Sequence, residues 1–219
     1  YWYYNFEYIK ERDRGYDYQE ELLVPGKFKV NLRKGESLVV SCGVEEANPF
    51  LLSQDFTKES HWRFPIETTE DVLQRAARMF FARKGTKVNL VAGFPWFGRW
   101  GRDTFISLPG LCIALDDWRM FRLAIDTMID DFKDGFFPNI GEGTQAAYNS
   151  IDAPLWFFWA LQQYAYINDA RKEVWQAYNG VMRSILENFS EGSVNVRMDS
   201  NFLLWQGEEG KALTWMDAI

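Results

Sequence analysis

The sequence predicts a mainly α-helical chain in which a run of helical hairpins follows the last strands of a β-domain. Three observations carry that expectation. Residues 1–60 are aromatic-rich and alternate apolar with polar between turn signals at Pro25-Gly26 and Lys34-Gly35. From about residue 66 the apolar spacing changes to the helical period. The helical segments are joined by alternating short and long connections, which suits hairpins arranged in a ring with the long segments gathered at one mouth. The division follows as 1–60, the end of an N-terminal β-domain with its linker, and 61–219, the first part of a helical domain.

Taken in order, strands are expected at 1–9, at 26–32 and at 37–43, the last as a buried run between turn residues. Thr68-Thr69-Glu70-Asp71 supplies a capping-box-like start, and Val72, Leu73, Ala76, Ala77, Phe80 and Phe81 follow on one helical face. Further helices are expected at 102–115, 118–132, 152–167 and 171–189. Between them lie two long segments, 86–101 and 133–151, rich in Gly, Asn, aromatics and acids, and long ordered loops of this kind are commonly functional.

Composition narrows the function classes. Hydrophobic residues make up 47% and charged residues 25% of the 219, so a packed core is available and disorder is not expected. A net charge of −7 argues against nucleic acid, whose affinity for proteins comes largely from cations. No apolar run approaches the roughly 20 residues of a membrane span, so no membrane partner is expected. Cys42 and Cys112 lie far apart and the chain has a single histidine, His61, so neither a disulfide framework nor a metal site is expected. Such cysteine usage suits a reducing, cytoplasmic setting. The chain opens at Tyr1 with no initiator Met or signal-like segment, and we expect it to be an internal piece of a longer protein.

Aromatic residues reach 17%. Rings at that level form a thick core, or they wall a cleft in which sugar C–H faces lie on them while hydroxyls meet Asp, Glu, Arg and Asn. Three constellations bear on the choice. In Trp96-Phe97-Gly98-Arg99-Trp100-Gly101-Arg102-Asp103, Asp103 is either an acid at a helix start paired with Arg102, or half of a clamp in which Arg donates to and Asp accepts from vicinal hydroxyls. In Tyr148-Asn149-Ser150-Ile151-Asp152-Ala153-Pro154, Asp152 is either a helix N-cap or a carboxyl whose ionised form is disfavoured among rings, as a general acid requires. In Leu213-Thr214-Trp215-Met216-Asp217-Ala218, Trp215 and Asp217 are flanked by apolar residues, whereas the nearby Glu208 and Glu209 suit a solvated loop. His61 lacks a nucleophile context and suits packing or surface. Phosphate loops, dinucleotide fingerprints and His/Cys metal clusters are missing from the sequence. Carboxylates among aromatics remain, the ingredients of glycoside hydrolysis.

Trp100-Gly101-Arg102-Asp103-Thr104, Tyr148-Asn149-Ser150-Ile151-Asp152-Ala153 and Leu213-Thr214-Trp215-Met216-Asp217-Ala218, in this order, resemble the amylo-α-1,6-glucosidase region of the glycogen debranching enzymes, which are similar in fold to glucoamylases. Phe6-Glu7-Tyr8, Arg14-Gly15 and Glu21-Leu22-Leu23-Val24-Pro25-Gly26 resemble the junction closing that family's N-terminal β-domain. The resemblance implies a partial (α/α)6 toroid preceded by the C-terminal strands of a β-sandwich-type domain, and inverting removal of α-1,6-linked glucose from glycogen, limit dextrin or starch-derived oligosaccharides. It implies Asp152 as general acid. It places Arg102 and Asp103 on the hydroxyls of the terminal glucose, Trp100 beside that subsite, and Trp96, Tyr148, Asn149, Trp215 and Asp217 along the cleft as substrate-binding residues. The general base is expected beyond Ile219, with about five of the toroid's twelve helices present, so the isolated chain is expected to be inactive. No cofactor is implied, because the chemistry needs only protons and water. A toroid glycosidase of another linkage, glucoamylase-like or trehalase-like, and a non-catalytic glycan-binding protein are the alternatives.

Overall fold

The chain divides into two units, Tyr1–Trp62 and Arg63–Ile219. The computed structural model describes residues 1–43, 45–62, 67–94, 97–193, 196–207 and 214, with Trp62 described by its backbone.

In the first unit, β1 (Trp2–Glu7) and β2 (Gln19–Leu23) pair antiparallel, Trp2 opposite Leu23 and Glu7 opposite Gln19. The register shifts between Tyr3 and Phe6, where Asn5 takes φ +53°, a conformation asparagine tolerates better than branched residues. A single helical turn, α1 (Ile9–Asp13), fills the connection. The strands expected at 26–32 and 37–43 are not formed: Phe28 is 95% and Val40 69% exposed, and these residues have no ladder partner. Alternation creates a face, but a strand exists only through a neighbour that takes up its N–H and C=O groups. The β expectation to residue 60 also fails at α2 (Leu52–Trp62). The Asn48 side chain leads into it, accepting from the Phe50 N–H at 3.0 Å.

The second unit opens with α3 (Thr69–Met79), whose capping box forms as the sequence predicts. Thr68 Oγ1 accepts from the Asp71 N–H at 3.1 Å, and the Asp71 carboxylate accepts from the Thr68 N–H at 2.8 Å. The hydrogen bonds from the Thr68 hydroxyl and then from the Thr68 and Glu67 amides hold the Asp71 carboxyl below its usual value. The helix stops at Met79 rather than running through Phe81, because Phe81 begins a sheet. Its strands are β3 (Phe81–Lys84), β4 (Lys87–Gly93) and β5 (Phe97–Arg99), antiparallel in that order. Gly85-Thr86 forms the two-residue turn between Lys84 and Lys87, with Gly85 at φ +62° as primed hairpin turns demand. The segment 86–101, expected as a loop, therefore carries two strands. Val88 and Leu90 on one face of β4 are buried.

Four long helices follow: α4 (Gly101–Leu115), α5 (Trp118–Ile129), α6 (Asp152–Ile167) and α7 (Arg171–Glu191). Asp116 in the left-handed region ends α4, and the Asp117 side chain caps α5 by accepting from the Met120 N–H at 3.1 Å. A short hairpin of β6 (Val196–Met198) and β7 (Leu204–Gln206) comes after α7. Packing joins α4 to α3, α5 and α6, α6 to α7, and β4 to α5, where the Val88 N–H donates to Thr127 Oγ1 at 3.0 Å.

Much of the aromatic excess goes into this core. Phe105, Phe137 and Phe157 are fully buried and pack mutually with centroids 4.8–5.5 Å apart, while Phe121 stacks on Tyr164 at 4.8 Å. Burial, then the neighbouring Asp126, pushes the Tyr178 phenol up. Cys112 is buried at 0% exposure, and desolvation pushes its thiol up to about 12. Cys42 is exposed. Among the described residues no helix is long and apolar enough to cross a membrane.

Candidate functional site

The candidate site lies where the N-termini of α4 and α6 meet, and a glycine makes that meeting possible. A Cβ on Gly101 would sit 2.3 Å from the Pro138 carbonyl oxygen and 3.2 Å from Ala153 Cβ, so only glycine lets the start of α4 come this close. At that distance the Gly101 N–H donates to the Asn139 carbonyl at 3.0 Å, and the Gly141 N–H to the Arg99 carbonyl at 3.2 Å. Residues 139–147 close a small antiparallel excursion, the Asn139 N–H reaching the Ala147 carbonyl at 2.7 Å and the Ala147 N–H the Ile140 carbonyl at 3.0 Å. Just before it, Lys133 and Phe136 close a two-residue turn with both Asp134 and Gly135 at positive φ.

These backbone ties bring Arg102 onto Asp152. Arg102 Nη1 donates to Asp152 Oδ2 at 2.8 Å, with the two side chains 16% and 15% exposed. The Ser150 hydroxyl, itself buried, donates to Asp152 Oδ1. Two of the three sequence constellations thus converge on one carboxylate. The convergence corrects three expectations. Asp152 is not an N-cap: Ile151 holds that position, and Asp152 is the first residue of α6, where the helix dipole favours negative charge. Arg102 pairs with Asp152 rather than with its neighbour Asp103. The immediate partners of Asp152 are a guanidinium and a hydroxyl rather than the rings expected around it.

The other predicted residues distribute as follows. Asp103, in the first turn of α4, lines a cleft of about 260 Å³ together with Arg102, Leu90, Val91 and Ile106. Trp100, at the N-cap position of α4, is half-buried. The Tyr148 hydroxyl donates to the Asp131 carbonyl at 2.6 Å, and burial, followed by the charge of Asp131, raises its phenol. Asn149 is exposed. Trp96, Trp215 and Asp217, with Glu208 and Glu209, lie outside the described residues. His61 is on the surface of α2, bonded through Nδ1 to the Thr57 carbonyl at 2.7 Å.

Sequence reasoning missed the network that braces this arrangement. The Arg99 side chain, 4% exposed, donates to Asp131 Oδ2 at 2.5 Å, to the Gly141 carbonyl at 2.9 Å and to Asn89 Oδ1 at 3.3 Å. Asp131 Oδ1 accepts from the Gly143 N–H at 3.2 Å. Glu142 accepts from Asn89 Nδ2 at 3.1 Å and faces Lys84 Nζ at 3.4 Å. The Asn89 bond, then the Lys84 charge, hold the Glu142 carboxyl below its ordinary value. The Asp134-Gly135 pair was a legible turn signal; nothing in the sequence singled out Arg99. Among the described residues no group of three His, Cys, Asp or Glu side chains could hold a metal ion.

A family model described as amylo-alpha-1,6-glucosidase matches residues 54–219, and one described as glycogen debranching enzyme N terminal matches residues 1–39. Among curated proteins, a glycogen debranching enzyme from Saccharomyces cerevisiae is 34% identical over 85 residues, covering 36% of this chain and 6% of the yeast protein. No solved structure matches.

Proposed function

This chain belongs to the amylo-α-1,6-glucosidase family, and from that premise we propose that the protein hydrolyses α-1,6-linked glucose branches of glycogen or related α-glucans with inversion. The observation that carries the reading is the 2.8 Å contact between Arg102 and Asp152, which unites the two constellations at one carboxylate. Asp152 is the general acid that protonates the leaving glycosidic oxygen, and Arg102 with Asp103 grips the hydroxyls of the terminal glucose. Glucose hydroxyls that occupy the Arg102 fork take up the donors that otherwise meet Asp152. Ser150 remains to orient it. Trp100, Tyr148, Asn149, Trp96, Trp215 and Asp217 are assigned to substrate binding.

Inversion requires a second carboxylate roughly 6.5–9.5 Å from the first, with water between them. We assign that base to sequence beyond Ile219, so that residues 1–219 alone leave the water unactivated. In the same proposal α3 to α7 open an (α/α)6 toroid over residues 61–219, and residues 1–60 hold the end of a β-domain and its linker. The stretch aligned with the yeast enzyme is 6% of that protein.

The test is a substrate panel run with the native-length protein and its Asp152→Asn variant. Glucose released from an α-1,6-branched dextrin but not from trehalose or linear maltooligosaccharides, and lost in the variant, supports the reading. Preference for another linkage transfers it to a different toroid glycosidase. Dextrin binding without hydrolysis makes the protein a glycan-binding one.

A further inference from the structure

We propose that Arg99 and Asp131 form a positioning pair that sets the Arg102–Asp152 geometry; the inference rests on the glucosidase reading and extends it to residues that reading does not use. Arg99 ends β5, and its side chain is nearly sealed from water, yet its three acceptors come from three separate places: Asp131 beyond α5, Asn89 on β4 and the Gly141 carbonyl in the excursion that leads to Asp152. Its own carbonyl accepts from the Gly141 N–H, so Arg99 grips that residue through side chain and backbone together. Asp131 holds the same stretch twice more, its side chain accepting from the Gly143 N–H and its backbone carbonyl from the Tyr148 hydroxyl just beyond the excursion. Asp152 lies four residues beyond Tyr148, and Arg102 three beyond Arg99. A shift of the excursion relative to Arg99 is therefore a shift of acid relative to clamp.

Lysine cannot replace this arrangement, because an ammonium is one point of charge where a planar fork meets three acceptors. Shortening the reach by removing one of those bonds lets the excursion drift, and displacement by about 1 Å at a catalytic group can cost on the order of a hundredfold in rate. Arg99 touches no proposed substrate atom, so the loss falls on kcat rather than on KM.

The experiment measures glucose release from α-1,6-branched dextrin by native-length wild type, Arg99→Lys, Asp131→Asn and Lys87→Ala, with hydrogen-exchange mass spectrometry of residues 139–148. Lys87→Ala, which removes the neighbouring surface pair with Asp130 at 2.9 Å, controls for loss of a charge nearby. The expected result is kcat lowered by roughly 10- to 100-fold in both Arg99→Lys and Asp131→Asn, with KM within about twofold, faster exchange at 139–148, and no change in Lys87→Ala. Asp131→Asn keeps the volume and tests the pair without the bulkier change at Arg99. If the folded variants retain the wild-type kcat, even with a lower melting temperature, the pair is structural only and the proposal is overturned. If the wild-type protein itself releases no glucose, the functional reading fails and the proposal falls with it, an outcome distinct from an active wild type with undiminished variants.

Discussion

Gly101→Ala tests the close approach on which the site depends. In most helical positions this substitution stabilises by about 0.5–1 kcal/mol, because alanine restricts the unfolded chain. At Gly101 the new methyl would stand 2.3 Å from the Pro138 oxygen, and reaching ordinary contact at 3.4 Å requires the two segments to part by about 1.1 Å. The obstacle is a backbone atom of a buried residue, which cannot swing aside as a side chain would. Overpacking of this kind costs about 1–3 kcal/mol, which outweighs the propensity gain. The same displacement stretches the Gly101 N–H bond to Asn139 and carries Arg102 away from Asp152. We expect kcat to fall about a hundredfold. Gly110, in the same helix, has nothing within 4 Å of its missing Cβ, so Gly110→Ala should be neutral or stabilising by up to about 1 kcal/mol and fully active. Both variants of the native-length protein are assayed for glucose release and for hydrogen exchange in 101–115 and 138–148. Equal behaviour of the two variants would refute the close-approach argument.

Further expectations concern the charge clamp, the core, the thiols and pH. Arg102→Lys keeps the charge but loses the planar fork, and initial-rate measurements should show KM raised and kcat lowered together. Phe157→Ala empties a site packed against Phe105, Phe137 and Tyr178 and should destabilise the helical unit by about 3–5 kcal/mol, read as earlier loss of exchange protection in α6 under urea. Iodoacetamide at pH 8 should label the exposed Cys42 in the folded protein and leave Cys112, with its raised thiol, unmodified until denaturant is added, as peptide mapping will show. Glu142 has its folded-state carboxyl lowered, so its contribution is complete above the unfolded value near about 4.3 and is lost as pH falls through the folded one. Protection at 139–148, taken relative to the intrinsic exchange rate at each pH, should therefore fall on acidification below about pH 4, and Glu142→Gln should remove that acid response.

The helical half of the fold was legible because its determinants are local. The Thr68/Asp71 capping box, the Asp117 cap and the apolar period place α3 to α7 within a few residues of where the sequence puts them. The first sixty residues were misread for the opposite reason: alternation around Phe28 and Val40 describes a strand face, while strand formation depends on a partner that local pattern does not encode. The sheet formed by β3 to β5 was hidden by Phe80 and Phe81, which continue the helical period just where the chain turns into a hairpin. At the site, Asp152 and Arg102 stood out by residue type and context. Their pairing did not, because fifty positions separate them and the ladder that joins them runs through the backbone of Gly101, Asn139 and Gly141. Arg99 was invisible for a related reason. Its role comes from burial among three acceptors distant in sequence, and a basic residue between Gly98 and Trp100 gives no hint of it.

Proton NMR of the anomeric signals during hydrolysis of an α-1,6-branched limit dextrin by the native-length protein, paired with Asp152→Asn, tests the central claim most directly. The account predicts β-glucose first, with α-glucose growing only by mutarotation, and no glucose from the variant. α-Glucose at the earliest times, or undiminished release by Asp152→Asn, would contradict it.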